Sequence, residues 1–472
     1  MSRPLDSDAP LMLSVSGARG LVGRTMTPPI AVDLAAAFAT HVKRIRGVRP
    51  VICLGRDSRP SGSILAGSTA AALAAVGARV VDLGVVATPT VGVMIRRLEA
   101  DGGIVVTASH NPIEWNGVKF LMAGGVAPPA EDAAVILEAF RAGVADYAGV
   151  DDLGVVAADP DGTRQHVEDV LPHVNVEAIR AAGLNVVLDS VNGAGGAGGR
   201  MLLEMLGVDV AHDNAAPTGR FAHPPEPVEA HLGDLADHTR RIGAAAGFAQ
   251  DPDADRLAIV DERGRYIGEE YTLVLAARRW LDQHGGPGVV AANLSTSRMI
   301  DDLATRYPGV RVVRTAVGEA NVAAALQAAG ADARIGGEGN GGVILPAVTW
   351  VRDSLSSMAL VLDLLAAEGR PLSALVDELP AYVMLKRKVD LSMIGGRAAI
   401  APALDAIAHH FADATQDRAD GIRVDTSGGW VHVRPSNTEP IMRLIAEGSS
   451  KAAATDLLDE AVDAAGLAGA VG

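Results

Sequence analysis

The sequence predicts an α/β protein with three similar α/β domains, followed by a smaller C-terminal α+β domain. Its 472 residues are too many for one hydrophobic core, because domains usually contain about 100–200 residues. Short apolar runs alternate with helical patterns along most of the chain, which is typical of strand–helix–strand units with a parallel sheet. The alternation occurs in three blocks, and the pattern changes near the C-terminus.

The first block, residues 1–150, shows the alternation most clearly and predicts a largely parallel sheet covered by helices on both faces. Residues 61–78 carry no charge over a length close to a membrane span, but Ala, Gly, Ser and Thr dominate them, so we predict a buried helix. The predicted strands are "VICLG" (51–55), "ARVVDLG" (78–84) and "GGIVVTA" (102–108), and the predicted helices lie near 61–77, 88–99 and 131–142.

Two further blocks, residues 151–255 and 256–370, repeat this alternation, whereas the block 371–472 departs from it. In the last block, two strands around 421–435 and a final Ala-rich helix predict a small antiparallel sheet with helices. The repeated strand patterns are "LNVVLDSVNGAGG" (184–196), "GVVAANLSTS" (288–297), "VRVVRTAVG" (310–318) and "ADARIGGEGNGG" (331–342).

Charge and composition restrict the partners of the protein. A formal net charge of −16 argues against binding to nucleic acid or to an anionic membrane, since both depend on widely spread Lys and Arg. A small anionic ligand remains compatible with this charge if a local cluster of basic and N–H groups surrounds it.

The first residues contain no apolar signal-peptide region, and the single cysteine, Cys53, lies in an apolar strand pattern. We therefore expect a cytoplasmic protein with a buried thiol.

Ser109 lies in "VVTASHNPIEWNGVKF" (105–120), where a buried strand pattern ends in a polar segment. Asn111-Pro112 is a turn signal, so Ser109 and His110 are predicted on a loop after the C-terminal end of a strand, where open α/β sheets place their active sites. The neighbours of the serine do not match the Gly-x-Ser-x-Gly motif of serine hydrolases. A catalytic serine and a turn serine that caps a local N–H group both fit these residues.

Asp251, Asp253 and Asp255 alternate in "QDPDADRLAIVDE" (250–262). Three carboxylates this close repel one another unless a cation neutralises them, which favours a hard divalent metal. The segment is not an EF-hand, because Arg256 stands where that loop requires glycine and "LAIV" is typical of a strand. A haloacid-dehalogenase motif would need Thr or Val in place of Asp255. The alternative is a solvated acidic turn.

Two further polar loops have the composition of ligand-binding segments. In "GGEGNGG" (336–342) the glycines allow close approach of the backbone, and Glu338 and Asn340 can hydrogen-bond to sugar hydroxyls; the alternative is a flexible hairpin. "RPSNTEPIMR" (434–443) has the composition of a phosphate cradle, and the alternative is a polar turn. The candidate phosphate-binding residues of this loop are Arg434, Ser436, Asn437, Thr438 and Arg443.

These four loops, in this order and spacing, resemble those of the α-D-phosphohexomutase superfamily, which includes phosphoglucomutase, phosphomannomutase and phosphoglucosamine mutase. "TASHNP" (107–112) is similar to its phosphoserine loop, and "DPDADR" (251–256) is similar to its metal loop. The resemblance covers essentially the whole chain. Other segments similar to the family are "SGARG" (16–20), "GRDSRPSG" (55–62), "GVK" (117–119) and "TAVGEANVA" (315–323).

The resemblance implies an enzyme that interconverts hexose 6-phosphate and hexose 1-phosphate, with its domains around a central cleft. Ser109 would carry a phosphoryl group, and a hexose bisphosphate would serve as intermediate and activator. One Mg²⁺ would bind Ser109 together with Asp251, Asp253 and Asp255. The four blocks 1–150, 151–255, 256–370 and 371–472 would then carry the phosphoserine, metal, sugar and phosphate loops, in that order.

The resemblance also implies roles for basic residues. Arg19, Arg256 and Lys119 would surround the transferring phosphoryl group, since phosphoryl transfer depends mainly on positioning and neutralisation of charge. Lys119 would also act as general base if nearby cations lower its pKa. Glu338 and Asn340 would contact the sugar, while residues 434–443 would hold the phosphate that does not react. The expected partner is a small sugar phosphate, and the expected state is a monomer or homodimer.

The sugar loop departs from the family pattern Gly-Glu-x-Ser-Gly-His, because Asn340 replaces the serine and Gly342 replaces the histidine. An acid/base role of that histidine would pass to His110 or Lys119, or would not be needed. The loop is similar to that of certain bacterial and archaeal phosphoglucosamine mutases, so glucosamine phosphate is the predicted substrate. The alternatives are a phosphomannomutase/phosphoglucomutase and, more distantly, a metal-dependent sugar phosphatase or a sugar-phosphate-binding protein.

Overall fold

The computed structural model describes residues 11–47, 49–436, 441–467 and 469–470, and within them the strands form four sheets. The first three sheets are mixed and packed with helices, and the fourth is antiparallel. The predicted fold class, three α/β units followed by a smaller α+β unit, is therefore confirmed.

The first sheet is parallel in one half and antiparallel in the other. Its strands are β1 (Met12–Ser14), β2 (Gly17–Leu21), β3 (Val51–Arg56), β4 (Arg79–Val85), β5 (Gly102–Val106), β6 (Trp115–Met122) and β7 (Val156–Ala158), in the spatial order β1-β2-β6-β5-β3-β4-β7. Strands β5, β3, β4 and β7 are parallel, and β1, β2 and β6 are antiparallel to their neighbours. Its helices are α1 (Pro28–Arg46), α2 (Gly62–Ala75), α3 (Thr88–Arg97) and α4 (Ala130–Ala142).

The second and third sheets have four strands each. The second unit contains β8 (Asn185–Asp189), β9 (Asp209–Asp213), β10 (Ala246–Gln250) and β11 (Leu257–Asp261), with helices α5 (Gly162–Val170), α6 (Val176–Ala182), α7 (Gly196–Leu206) and α8 (Gly233–Ile242). The third unit contains β12 (Gly288–Asn293), β13 (Val310–Thr315), β14 (Ala333–Glu338) and β15 (Gly342–Ile344), with helices α9 (Glu269–His284), α10 (Met299–Ala304), α11 (Glu319–Ala329) and α12 (Ser354–Glu368).

The C-terminal unit is an antiparallel sheet with two helices. After α13 (Leu372–Asp377), it contains β16 (Val383–Asp390), β17 (Thr415–Asp417), β18 (Ile422–Asp425), β19 (Gly429–Pro435) and β20 (Ile441–Gly448), in the order β16-β20-β19-β18-β17, with α14 (Ile400–His410) and α15 (Lys451–Ala464). Apolar side chains of α14 and α15 pack with those of β18, β19 and β20 in one buried cluster.

The first three units share one chain path. In β3–β6, β8–β11 and β12–β15 alike, the first strand is central, and the second and third strands pair with it in parallel on opposite sides. The fourth strand then turns back antiparallel to the third. The repeat predicted from the sequence is thus a repeat of topology.

This shared path gives three candidate loops equivalent positions. Ser109 lies between β5 and β6, Asp253 lies between β10 and β11, and Asn340 lies between β14 and β15. Each loop follows the carboxyl end of a strand that is parallel to its neighbour, which is where α/β sheets bind their ligands.

One continuous apolar core joins the second and third units. It contains Val186 and Phe248 from the second sheet, Val290 and Ile335 from the third, and Met358 from α12, which is buried along most of its length. Because close-packed cores have little freedom to shift, this core holds the loops of the two units in a fixed relation.

The predicted domain boundaries at 150/151, 255/256 and 370/371 remain predictions. Strand β7 lies after the first boundary and pairs with β4 of the first sheet, and β11 lies after the second boundary and pairs with β10. The uncharged segment 61–78 contains α2, whose buried residues pack in the first unit. Throughout the described part of the chain, every helix is too short or too polar to cross a membrane.

We predict that Cys53, the single cysteine, does not react with thiol reagents in the native protein. It lies in β3 with no exposed surface, and burial together with Asp159 raises the pKa of its thiol to about 12. At mildly alkaline pH the reactive thiolate is therefore scarce as well as inaccessible. An aromatic disulfide reagent should titrate the thiol fully in guanidinium chloride and only slowly in buffer; rapid reaction in buffer would contradict the buried position.

Candidate active site

Ser109 occupies the predicted loop position and has an unusual backbone conformation. Its φ of 50° lies in the left-handed region, which costs a non-glycine residue about 1–3 kcal/mol. Two hydrogen bonds hold it there. The N–H group of Ser109 donates to Thr107 Oγ1 at 2.9 Å, and its carbonyl oxygen accepts from Arg59 Nη2 at 2.8 Å. The orientation of the Ser109 side chain is thus fixed by the loop.

Arg59 anchors this loop, a role that was not recognised from the sequence. Its fully buried guanidinium group pairs with Asp57 and also donates to the carbonyl oxygen of Asn111. Asp57 in turn accepts a hydrogen bond from Thr107 Oγ1 at 2.7 Å. Asp57 and Arg59 both belong to the segment "GRDSRPSG" (55–62). Charged residues directly after a buried strand pattern could have indicated this role.

The side chain of Ser109 connects its loop to the carboxylates at 251–255. Ser109 Oγ donates to Asp251 Oδ2 at 3.0 Å and lies 3.4 Å from His110 Nδ1. Burial and the positive charges of Arg256 and Arg19 lower the pKa of His110 to about 2, so its imidazole is neutral in this arrangement. The structure thus brings together two loops that are far apart in the sequence.

Asp251, Asp253 and Asp255 form a buried cluster, which excludes the alternative of a solvated turn. One oxygen atom from each carboxylate lies within 4.8 Å of the others. Thr88 Oγ1 donates to Asp253 Oδ2 at 2.7 Å, and the N–H group of Arg256 donates to Asp251 Oδ1 at 3.2 Å.

Two oxygen atoms in this cluster have no donor. Among the described residues, neither Asp253 Oδ1 nor Asp255 Oδ1 accepts a hydrogen bond, although both atoms are buried. Buried carboxylate oxygen atoms without donors are suitable ligands for a hard divalent cation, so the residues present fit a metal ion.

The pKa values show how unevenly the three charges are compensated. Burial and repulsion by the other carboxylates raise the pKa of Asp251 well above its usual value, and burial with repulsion by Asp255 raises that of Asp253. Burial alone would also raise the pKa of Asp255, but Arg352, Lys119 and other cations lower it below its usual value. The positive charge of the neighbouring side chains therefore acts mainly on Asp255 and compensates Asp251 and Asp253 less.

Lys119 and Arg19 lie on the same face of the first sheet. Strand β2 pairs with β6 so that Arg19 opposes Gly117, two residues from Lys119. Lys119 Nζ lies 3.1 Å from Glu319 Oε1 and 3.9 Å from Asp255 Oδ2. Burial lowers the pKa of Lys119, but these carboxylates outweigh it and raise the pKa above its usual value. The condition for Lys119 to act as general base, a pKa lowered by nearby cations, is therefore not met in this structure.

Glu338 is buried and makes several hydrogen bonds. Its Oε1 atom accepts from Asn293 Nδ2 at 2.8 Å and from the N–H group of Gly318 at 3.0 Å, and its Oε2 atom accepts from Arg352 Nη1 at 2.7 Å. Asn340 Nδ2 lies 3.5 Å from the same Oε2 atom. The two candidate sugar-binding residues thus lie together in an ordered hairpin, and their contact with a sugar stays a prediction.

Arg352 is a buried residue of the site that was not recognised from the sequence. Besides Glu338, its guanidinium group donates to Asp255 Oδ2 at 2.6 Å and to Glu319 Oε2 at 3.1 Å. Burial opposes its charge, but these three carboxylates raise its pKa well above the usual value. In the sequence, Arg352 directly precedes Asp353, which caps the buried helix α12. A basic residue at the start of a buried helix could have indicated that Arg352 is buried as well.

The fourth loop is connected to the third unit. Arg434 and Arg443 oppose each other on β19 and β20, so their side chains lie on the same face of the fourth sheet. Arg434 Nε donates to Asp420 Oδ2 at 2.7 Å, and the same oxygen accepts from the N–H group of Val317 at 3.1 Å. The N–H group of Ser436 donates to the carbonyl of Ile441, at 2.8 Å. The candidate residues Asn437 and Thr438 lie outside the described residues.

Comparison with known proteins finds four matching regions along the chain. Residues 12–145, 164–264 and 268–382 match the alpha/beta/alpha domains I, II and III of phosphoglucomutase/phosphomannomutase, in that order. Residues 396–464 match the C-terminal domain of the same family.

Individual proteins resemble the chain over almost its full length. A Thermococcus kodakarensis protein named phosphoglucomutase/phosphomannomutase is 37% identical over 444 residues, which are 94% of this chain and 96% of the relative. A Methanopyrus kandleri protein named probable phosphoglucosamine mutase is 37% identical over 458 residues, 95% and 96% of the two chains. The crystal structure of a phosphoglucomutase/phosphomannomutase family protein from Burkholderia thailandensis has a TM-score of 0.82 and 27% identity, covering 96% of this chain and 98% of that one.

We predict that Mg²⁺ stabilises the protein through the aspartate cluster. Titration of metal-free protein should raise its Tm, because the cation binds the folded state and offsets buried negative charge. Asp253→Asn removes one anionic ligand, so it should need a higher Mg²⁺ concentration for half of the shift. Asp237→Asn, at an exposed position on α8, is the control. A Tm that is the same in Mg²⁺ and in chelator would show that these aspartates only shape the loop.

Proposed function

The chain belongs to the phosphoglucomutase/phosphomannomutase family and is a phosphohexomutase, and we propose that its reaction runs through a phosphorylated Ser109. The main support is the distance of 3.0 Å between Ser109 Oγ and Asp251 Oδ2, which joins a strand-end serine to a buried carboxylate cluster. A phosphoserine beside three carboxylates requires a cation to compensate the negative charge. Cationic side chains already surround this point.

In the proposed exchange, a hydroxyl oxygen of the sugar monophosphate attacks the phosphorus atom of phosphoserine. The bond between that phosphorus and Ser109 Oγ breaks, and a hexose bisphosphate forms. The proton of the attacking hydroxyl finally replaces the phosphoryl group on Oγ, where Asp251 Oδ2 accepts its hydrogen bond at 3.0 Å. After the sugar turns in the cleft, the reverse exchange moves its other phosphate to Ser109.

Asp251, Asp253 and Asp255 would hold Mg²⁺, because hard cations prefer carboxylate oxygen atoms. When bound, this ion supplies positive charge to the oxygen atoms of the transferring phosphoryl group. Arg19, Arg256 and Lys119 supply the remaining positive charge from fixed positions, and the raised pKa of Lys119 keeps it charged. His110, beside Ser109 Oγ, is a neutral hydrogen-bonding partner.

The non-reacting phosphate would bind at the fourth loop, between Arg434 and Arg443. The sugar would lie against Glu338 and Asn340.

Glucosamine phosphate is the proposed substrate, because the Methanopyrus kandleri relative is named for it and a cationic amine is attracted to carboxylates. The Thermococcus kodakarensis relative of equal identity is named for glucose and mannose. Because Arg352 already pairs with Glu338, we expect the preference for the amino sugar to be modest.

Ser109→Ala should lower kcat by more than about 10³-fold, because the variant lacks the phosphoryl acceptor. Its free energy of unfolding should change by about 1 kcal/mol or less. Intact-mass measurement of the wild type should show a partial extra phosphoryl group that a hexose monophosphate removes, and Ser109→Ala should lack it. Ser68→Ala on α2 is the control and should behave as the wild type.

The distant alternatives give different results in the same assay. A phosphatase would release inorganic phosphate from the hexose monophosphate without forming its isomer. A binding protein would bind the sugar phosphate, show no turnover and carry no phosphoryl group at Ser109. Either result would overturn the proposed reaction.

Glucosamine 1-phosphate is expected to show the highest kcat/KM when glucosamine, glucose and mannose 1-phosphates are compared in one buffer. Because the preference is electrostatic, it should shrink as the salt concentration rises. Equal or faster turnover of glucose or mannose 1-phosphate would exclude the amino sugar as preferred substrate. The mutase reaction itself would be unaffected by that result.

A further inference from the structure

The side chain of Arg352 fills the space that a residue at position 342 would occupy. A Cβ atom added to Gly342 would lie 2.2 Å from Arg352 Cδ, 3.0 Å from its Cγ and 3.1 Å from its Nε. The backbone of Gly342 does not have the positive φ that favours glycine, so its conformation is open to other residues. Arg352 is therefore the nearest obstacle to a side chain in the sugar loop at this position.

Arg352 cannot easily move aside. Its three donor groups bind carboxylates from three segments: Nη1 binds Glu338 of the sugar loop, Nη2 binds Asp255 of the aspartate cluster, and Nε binds Glu319 at the start of α11. Moving Arg352 Cδ would break charge-assisted hydrogen bonds that are buried from water, and these are the costly ones to lose.

The backbone around Arg352 is also fixed. Val351 belongs to an apolar cluster with Cys53 and Leu121 of the first unit. On the other side, Asp353 accepts a hydrogen bond from His166 of the second unit, with 3.1 Å between Nε2 and Oδ2, and its N–H group donates to Val343 of the third unit at 2.8 Å. The position of Arg352 thus depends on all three α/β units.

We propose that Arg352 is a positioning residue that fixes Glu338 for the sugar, and that it does so from the space that a side chain at position 342 would otherwise occupy. Its planar guanidinium group bridges Glu338 and Asp255, so it sets the spacing between the sugar loop and the aspartate cluster. Both oxygen atoms of Glu338 are then oriented, one by Arg352 and the other by Asn293 and Gly318. This inference rests on the proposed function of the sugar loop.

The proposal is tested with Arg352→Ala, Arg352→Lys, Gly342→Ala and the double variant Gly342→Ala/Arg352→Ala. Arg352→Ala should raise KM for the sugar monophosphate by about tenfold or more, as expected for a lost charge-assisted hydrogen bond, with a smaller fall in kcat. Arg352→Lys should recover little, because an ammonium group cannot bridge two carboxylates in a plane.

The decisive measurement is the coupling between the two positions. Gly342→Ala removes no functional group, yet it should raise KM in the same way because it displaces Arg352. In the double variant the alanine has free space, so its KM should match that of Arg352→Ala alone. Additive effects in the double variant, or a wild-type KM in Gly342→Ala or Arg352→Ala, would overturn the proposal.

A structural arginine provides the matched control. Arg279 on α9 pairs with Asp363 of α12 through two hydrogen bonds of 2.8 and 3.1 Å, away from the site. Arg279→Ala should lower Tm and leave KM unchanged. If Arg352→Ala lowered Tm and left KM unchanged as well, Arg352 would only support the fold.

A readout independent of turnover separates this proposal from the proposed reaction. Arg352→Gln keeps most of the side-chain volume but removes a positive charge 2.6 Å from Asp255, so the variant should bind Mg²⁺ more tightly. The Mg²⁺ concentration for half of the Tm shift should therefore fall. An unchanged midpoint would contradict the bridging role even if the wild type proved to be no mutase. A lowered midpoint with no mutase turnover in the wild type would overturn only the reaction.

Discussion

The burial of three aspartates at one point is the constraint on which the rest of the site depends. Like charges removed from water must be compensated, and each α/β unit contributes to that compensation. The first unit supplies the hydroxyl of Thr88 and the ammonium group of Lys119, and the third supplies Arg352. Within the described residues, Asp253 Oδ1 and Asp255 Oδ1 still lack a hydrogen-bond donor, and this makes the cluster suitable for a cation.

The repeated topology explains how such compensation can be assembled. The loop between the third and fourth strands has the same place in each unit. Hydrogen bonds from Ser109 to Asp251, and from Arg352 to both Asp255 and Glu338, join the three loops at one centre. The shared core of the second and third units keeps their loops at a fixed spacing. The geometry of the site is therefore set by contacts between units, and no single unit contains it.

Periodicity and turn signals were sufficient to place Ser109 and Asp253 on loops at strand ends, because these signals are local. They could not show that β6 runs antiparallel, since pairing depends on distant strands. The roles of Arg59 and Arg352 were missed for a similar reason: a charged residue is recognised as buried only when its partners are known. The direction in which the pKa of Lys119 shifts could not be judged from the sequence, because Glu319, its closest carboxylate, comes from another unit.

The pairing of Asp255 with Arg352 also has a consequence for biosynthesis. Chains fold from the N-terminus as they leave the ribosome, so the second unit is complete before α12 has been made. Until then, Asp255 lacks its nearest guanidinium group, and the apolar residues of the second sheet lack those of Met358 and its neighbours. The second unit therefore lacks the arginine partner of Asp255 and part of its apolar contacts until α12 has been synthesised.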